Sequence, residues 1–295
     1  MIRIPENLST KLSILVNSSF SVLHVCALQC IKVLIKKAIA FRRKPHDLAT
    51  EKLHTCWLCS ETFLSKRHAY FCRPCRKDLP VIRNACFCCS LPLNMMPRYE
   101  ADSRLISRRL CGECISQPPG FICTVASYSY SFPLKELIRR IKYRKQRYWL
   151  KPLSSQLIAD IKSAPAYAGE AFPELLIPIP MHSRNQKDRT FNQAKLIANA
   201  ISRTLNIPVS TAILLKTKET DNQAGLNKAE RIRNLQQAFS LSAKAQRKKL
   251  VQGKHIALID DVMTTKATAQ LATKVLLEAG ASRIDVWCLA RTPKT

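Results

Sequence analysis

Residues 255–268, His-Ile-Ala-Leu-Ile-Asp-Asp-Val-Met-Thr-Thr-Lys-Ala-Thr, leave few options for the fold around them. Four apolar residues, Ile256 to Ile259, predict a short strand buried on both faces. Asp260 and Asp261 follow at its carboxyl end, where open α/β sheets form their binding crevice. Thr264, Thr265 and Thr268 then stand at the start of a helix expected from Ala267 to Ala279. A helix N-terminus offers free N–H donors to a phosphate, and adjacent carboxylates suit vicinal sugar hydroxyls or a magnesium ion. The two features together describe a pocket for a phosphorylated sugar. A Walker B strand would need a P-loop, and no Gly-x-x-x-x-Gly-Lys-[Ser/Thr] occurs in the chain.

The same alternation extends on both sides of this unit. Strands are expected at Leu175–Pro180, Ala212–Lys216 and Ile284–Leu289, and a helix at Asn192–Leu205 with Ala194, Ile197, Ile201 and Leu205 on one side. Alternating strands and helices imply a mostly parallel sheet with right-handed crossovers. A long polar loop runs from Thr217 to about Gln237. Glycine is scarce, 6 of 295 residues against a usual share of about 7%, so some loops must be turned by residues that carry side chains.

Ahead of this region the cysteines dominate. Cys56-x-x-Cys59 and Cys72-x-x-Cys75 are followed by Cys86, Cys88 and Cys89, then Cys111-Gly-Glu-Cys114. Four thiolates satisfy tetrahedral zinc, and each Cys-x-x-Cys turn supplies two. The simplest reading is two structural zinc sites built from Cys56, Cys59, Cys72, Cys75, Cys86, Cys89, Cys111 and Cys114. Sequential and interleaved pairing both remain open, and Cys88 blurs the third pair. A dithiol redox role competes, but no βαβ pattern adjoins these pairs. The odd total of 13 cysteines also favours metal over a disulfide framework. Cys288, inside an apolar strand, reads as a buried thiol without chemistry.

Lys and Arg outnumber Asp and Glu by 48 to 20, a net charge of +28. Such an excess favours anionic partners but does not name one. Seven basic residues run from Arg139 to Lys151 with no acid, interleaved with Tyr143, Tyr148 and Trp149. This tract is either a groove for single-stranded nucleic acid or a helix with a solvated basic face and its aromatics in the core. Pro133 opens that helix, with Leu134, Leu137, Ile138 and Ile141 on its apolar side. Residues 1–50 carry a basic amphipathic helix, which either docks on its own protein or lies on a membrane surface. No stretch approaches the roughly 18 apolar residues of a membrane span, and no secretory signal is convincing. The expectation is a cytoplasmic protein without stable membrane insertion.

The stretch at 256–268 closely resembles the phosphoribosyl pyrophosphate (PRPP) motif of type I phosphoribosyltransferases: apolar strand, Asp-Asp, Thr-Thr-Gly-x-Thr. Lys266 stands where that motif has glycine. Together with the four cysteine pairs, the chain from about residue 50 onward resembles the ComF/GntX family of bacterial DNA uptake and utilisation. Further matching residues are Pro178-Ile179-Pro180-Met181-His182, Arg189-Thr190-Phe191-Asn192-Gln193, Gln223-x-x-Leu226 and Arg231-x-x-Asn234 ahead of Ala238-Phe239.

The resemblance implies an α/β fold, a type I phosphoribosyltransferase-like parallel sheet with helices on both faces. A small cysteine-rich zinc-binding module and the basic N-terminal helix would precede it. The implied division is 1–50, 51–118 and 119–295, the last split into a hood, 119–172, and a core, 173–295. It also implies that Asp260 and Asp261 face the ribose hydroxyls, directly or through Mg2+, and that Thr264, Thr265, Lys266 and Thr268 wrap the 5′-phosphate. Lys266 would then meet that phosphate with its ammonium or block the pocket. Arg184, Arg189, Lys218 and Arg231 are the expected pyrophosphate contacts. Two functions follow: pentosyl (glycosyltransferase) transfer from PRPP, or a non-catalytic, zinc-containing adaptor that grips single-stranded DNA beside a DNA-uptake helicase.

Overall fold

The computed structural model describes residues 52–65, 69–93, 109–181, 191–217 and 238–294. The N-terminal basic segment lies outside the described residues. The chain divides into two units. The smaller carries most of a two-stranded sheet, β1 (Lys52–Thr55) with β2 (Thr62–Ser65). The larger takes in Thr55–Glu61 and the chain from Tyr70 on. It begins with two short helices in the cysteine-rich stretch, α1 (Arg73–Asp78) and α2 (Gly112–Ser116). Strand β3 (Thr124–Ser129), α3 (Leu134–Tyr143), α4 (Leu150–Ser163), β4 (Leu175–Pro178) and α5 (Gln193–Leu205) follow. Then come β5 (Leu214–Lys216), β6 (Phe239–Leu241), α6 (Ala243–Arg247), β7 (His255–Met263), α7 (Ala267–Glu278) and β8 (Arg283–Arg291).

The expected parallel sheet is present, in the order β3-β8-β7-β4 with every neighbouring pair parallel. Its two central strands are apolar on both faces, and alternate residues feed two different cores. Ala257, Ile259, Trp287 and Leu289 pack with Leu137, Ile141, Leu153, Leu157, Ile197 and Ile201 from α3, α4 and α5. Ile256, Leu258, Val286 and Cys288 face the other way. They pack with Ala272 and Leu276 of α7, with Leu214 and Phe239, and with Cys86, Cys89, Cys111 and Cys114. A four-cysteine cluster therefore occupies one end of the sheet's second core.

The strand expected at 212–216 does not join this sheet. Only Leu214–Lys216 is extended, and it pairs antiparallel with β6. Leu214 and Phe239 bury one side of that ribbon while Leu215 is exposed. The expected strand end at Ile259 is also too short. Strand β7 continues to Met263 because β8 supplies partners that far, with Asp260 opposite Cys288 and Met263 opposite Arg291. Helix α5 begins as its cap dictates: the Asn192 side chain accepts the Lys195 N–H at 3.2 Å. The scarcity of glycine has the expected consequence, since Ser60, Ser90, Lys145, Asn206 and Lys249 all turn the chain at positive φ.

Both flanks of the sheet are covered. On the outer side of β3, Ser129 N–H donates to Pro80 O, Ile82 N–H to Ser127 O and Thr124 N–H to Phe87 O. Val81 and Tyr128 form an antiparallel bridge there. On the outer side of β4, Leu176 N–H donates to Pro208 O and Leu176 O accepts from Ser210 N–H.

At the amino ends of β7 and β8 a charged group is sealed inside. Asp285 is 0% exposed. Its carboxylate accepts from Tyr167 Oη at 2.9 Å and Arg283 Nε at 3.2 Å, and meets His255 Nε2 at 2.7 Å. Trp287 Nε1 donates to the same Tyr167 hydroxyl, and Arg283 also pairs with Glu170. Burial opposes the charge on Asp285, yet these donors hold its carboxyl below the usual carboxylate range.

Candidate functional site

The cysteines form two sets in sequential order: Cys56, Cys59, Cys72 and Cys75, and Cys86, Cys89, Cys111 and Cys114. Both are built alike. Cys56 N–H bonds Glu61 O and Ser60 N–H bonds Cys56 O; Cys86 N–H bonds Leu91 O and Ser90 N–H bonds Cys86 O. Each second pair starts on a helix cap, Cys72 for α1 and Cys111 for α2. Within each set the ligand atoms all lie within 4.8 Å of one another. Cys59 and Cys72 sulfurs are 3.7 Å apart, as are those of Cys89 and Cys111. Zinc–sulfur bonds of about 2.3 Å in a tetrahedron place sulfurs roughly 3.8 Å apart, so both sets fit the metal. Cys88 lies outside the set, its thiol directed at Phe121 O.

Crowding shows in the thiol acidities. A hydrogen bond from Cys89 and nearby backbone N–H groups lower Cys86 to about 4, while the Cys86 neighbour and burial push Cys89 up. Four such thiols ionise together only beside a cation. Cys288 is buried as expected, and burial pushes its thiol up to about 12.

Asp260 and Asp261 sit in the last turn of pleat of β7, with Thr264, Thr265 and Lys266 between them and α7. The backbone knits the pair tightly: Asp261 N–H donates to Asp260 Oδ1 and Val262 N–H to Asp261 Oδ1, each at 2.8 Å. Burial of its carboxyl, with the Asp261 charge beside it, raises Asp260 to about 7 although the residue keeps some solvent exposure. A residue not anticipated at this site closes it. Lys142, on α3, places its ammonium 2.7 Å from Asp261 Oδ2. In the sequence it was one cation in a basic tract; its position in the last turn of an amphipathic helix was the only clue. Thr264, Thr265 and Thr268 are exposed at the head of α7.

Lys266 occupies the glycine position of the motif without strain, at φ −76° and ψ −8°, so no left-handed conformation is called for. Its side chain is only 5% exposed. Nζ lies 2.8 Å from Glu113 Oε1 and 3.8 Å from Cys114 Sγ. Glu113, shared with Lys294, is held down at about 2 by these two ammonium groups. Arg291, 4% exposed, was overlooked in the sequence because it ends an apolar strand with no motif around it. Its guanidinium donates to Cys89 O at 3.0 Å, Met263 O at 3.1 Å, Thr292 O at 2.9 Å and also to Thr264 O.

The basic tract divides. Leu134, Leu137, Ile138 and Ile141 are buried as expected, and Trp149, 4% exposed, belongs to the core. Tyr143 and Tyr148 stay exposed, at 68% and 52%. Trp57, from the first cysteine turn, stands edge-on to Tyr70, Tyr148 and Trp149. Arg147 lies over the Phe191 ring. Arg184, Arg189, Lys218 and Arg231, the expected pyrophosphate contacts, lie outside the described residues. Among the described residues no helix is long and apolar enough to cross a membrane.

No protein-family model matches the chain. It is 31% identical over 237 residues to the DNA utilization protein YhgH of Shigella flexneri, covering 80% of this chain and 96% of that protein. Competence protein F of Haemophilus influenzae is 34% identical over 224 residues, 75% of this chain and 96% of that protein. Competence protein ComFC of Bacillus subtilis is 28% identical over 166 residues, 56% of this chain and 62% of that protein. Among solved structures, glutamine PRPP amidotransferase from B. subtilis aligns at 17% identity and a TM-score of 0.30, over 47% of this chain and 25% of that one. That likeness is too slight to bear on function.

Proposed function

The chain belongs to the family of DNA utilization protein YhgH and competence protein F, and from that premise we propose that it binds PRPP with magnesium in the service of DNA uptake or utilisation. One observation supports this above the others: the Asp260–Asp261 pair at the carboxyl end of a central parallel strand, beside exposed threonines at a helix N-terminus. That is where open α/β sheets bind ligands and where free N–H donors meet phosphate. Asp260 and Asp261 take the ribose 2′ and 3′ hydroxyls, directly or through Mg2+. Thr264, Thr265 and Thr268 wrap the 5′-phosphate, with Lys266 contributing its backbone to the loop. Arg184, Arg189, Lys218 and Arg231 take the pyrophosphate.

If transfer occurs, an acceptor nucleophile forms a bond to C1 of PRPP as the C1–oxygen bond to pyrophosphate breaks. Charge on the leaving group is what the cationic residues stabilise. Lys142 has a role before any of this. Its ion pair with Asp261 holds that carboxylate in place and must open when ribose or its metal arrives. Zinc in the two cysteine sets is structural: four thiolates leave no open coordination position for catalysis.

Calorimetry with magnesium-PRPP tests the reading; no heat and no thermal stabilisation at millimolar ligand would remove it. Asp261→Asn should weaken binding by about tenfold or more, since a hydrogen bond to a charged group is worth roughly 1.5–3 kcal/mol. The pH dependence has a definite sign. Asp260 is raised to about 7 in the folded chain, so it is protonated below that pH and cannot serve a cation. Affinity should climb as pH rises through about 7 and then level. Fold stability runs the other way: the raised acid costs stability progressively between about pH 4 and pH 7.

A second reading is an adaptor for single-stranded DNA, favoured by the exposed Tyr143 and Tyr148 on the basic tract. Bases stack on such rings while the cations track phosphates. Fluorescence anisotropy with an oligonucleotide decides it. Binding that weakens steeply with salt supports the adaptor; a weak, salt-insensitive signal rejects it.

A further inference from the structure

Two buried cations stand between the phosphate loop and the second cysteine set, and the mechanism above uses the charge of neither. Lys266 opens α7 and reaches Glu113 and Cys114 on α2. Arg291 ends β8 and binds the carbonyls of Met263 and Thr264 on one side and Cys89 on the other. The loop is thus gripped at its start by Arg291 and at its end by Lys266, and each grip ends on a cysteine turn of the same set. Among the described residues Arg291 has no carboxylate partner. The carboxylate that meets Lys266 is shared with Lys294. Burying two such charges with a single, shared carboxylate between them is costly.

A dication held by four thiolates leaves two negative charges, and two buried cations match them. We propose that the metal-loaded set Cys86, Cys89, Cys111 and Cys114 is the counter-ion of Lys266 and Arg291, which act as positioning residues for the loop 263–266. Metal at this set therefore fixes the shape of a phosphate pocket that it does not touch. The lysine that replaces the motif's glycine is the connecting strut. The coupling to PRPP rests on the reading given above; the coupling of metal to loop does not.

Full-length zinc-loaded protein is challenged with a chromogenic chelator, and hydrogen exchange of amides 262–269 is followed as metal leaves. Lys266→Met should speed zinc loss from the second set about tenfold, the low end of what partners of metal ligands contribute, with the first set unchanged. Lys266→Arg, which keeps the charge, should restore the slow rate. Exchange at 262–269 should rise at least tenfold in Lys266→Met while zinc is still bound and the sheet intact, return to the wild-type rate in Lys266→Arg, and rise in the wild type when the second set is emptied but not when only the first is. Equal zinc release from wild type and Lys266→Met, or loop exchange indifferent to metal, would overturn the proposal. Magnesium-PRPP titration of the same samples is read separately: should loaded wild type bind none, the functional reading fails while zinc release and exchange still decide the coupling.

Discussion

Cys86→Ser or Cys114→Ser will unfold the α/β sheet itself, whereas Cys59→Ser will loosen only the chain around the first cysteine set. The difference lies in what each set is buried in. Cys86, Cys89, Cys111 and Cys114 are all buried and share a core with Ile256, Leu258, Val286 and Leu276. Cys59 is exposed and Cys75 half-buried, and the first set's cysteines belong to neither core. A structural zinc site supplies about 10–16 kcal/mol of apparent folding free energy in small peptides, as much as the whole stability of an ordinary domain, about 5–15 kcal/mol. Serine at the second set forfeits that and leaves polar groups in apolar surroundings. Far-ultraviolet circular dichroism during urea unfolding checks it. A Cys114→Ser protein that keeps a cooperative transition at the wild-type midpoint would refute the shared-core account.

Asp285→Ala should cost about 3–5 kcal/mol, the usual penalty for removing one partner of a buried ionic group. It strands the Arg283 guanidinium with Glu170 alone and leaves the Tyr167 hydroxyl without its acceptor. In a domain of this size that is a melting temperature lower by roughly 10 °C. The pH response follows from the same contacts. Because the folded-state carboxyl lies below its unfolded value of about 3.9, its contribution is complete at neutral pH and is lost as pH falls through the folded value. Asp285→Asn should therefore narrow the gap between wild type and variant only in strong acid. A loss under about 1 kcal/mol at pH 7 would mean that the network is not what holds the amino ends of β7 and β8.

What the sequence disclosed and what it hid have physical causes. The parallel sheet, the helices that cover it and the eight metal-ligand cysteines were legible because periodicity, caps and Cys-x-x-Cys turns are local signals; the sequential partition of those cysteines needed the fold. Lys142 was not, since its partner Asp261 lies more than a hundred residues away and nothing near it marks a site. Arg291 and Asp285 were hidden for the opposite reason: each is one polar residue in an apolar strand, and only the sheet's register places them beside partners. Lys266 was recognised as an anomaly, but its direction was not. Sequence offered either an ammonium held out to phosphate or a blocked pocket, and in the fold the side chain meets Glu113.

The covered flank of β3 bears on pairing between sheet edges of separate copies. A bare outer strand is a template on which a second copy can grow the sheet. Here the segment from Pro80 to Phe87 occupies those donors and acceptors, and that segment is held by the cysteine turn that starts at Cys86. Metal bound at that set would therefore also guard the seam of β3: with the ligand set open, the strand's donors and acceptors would be free to pair with another copy of the same strand.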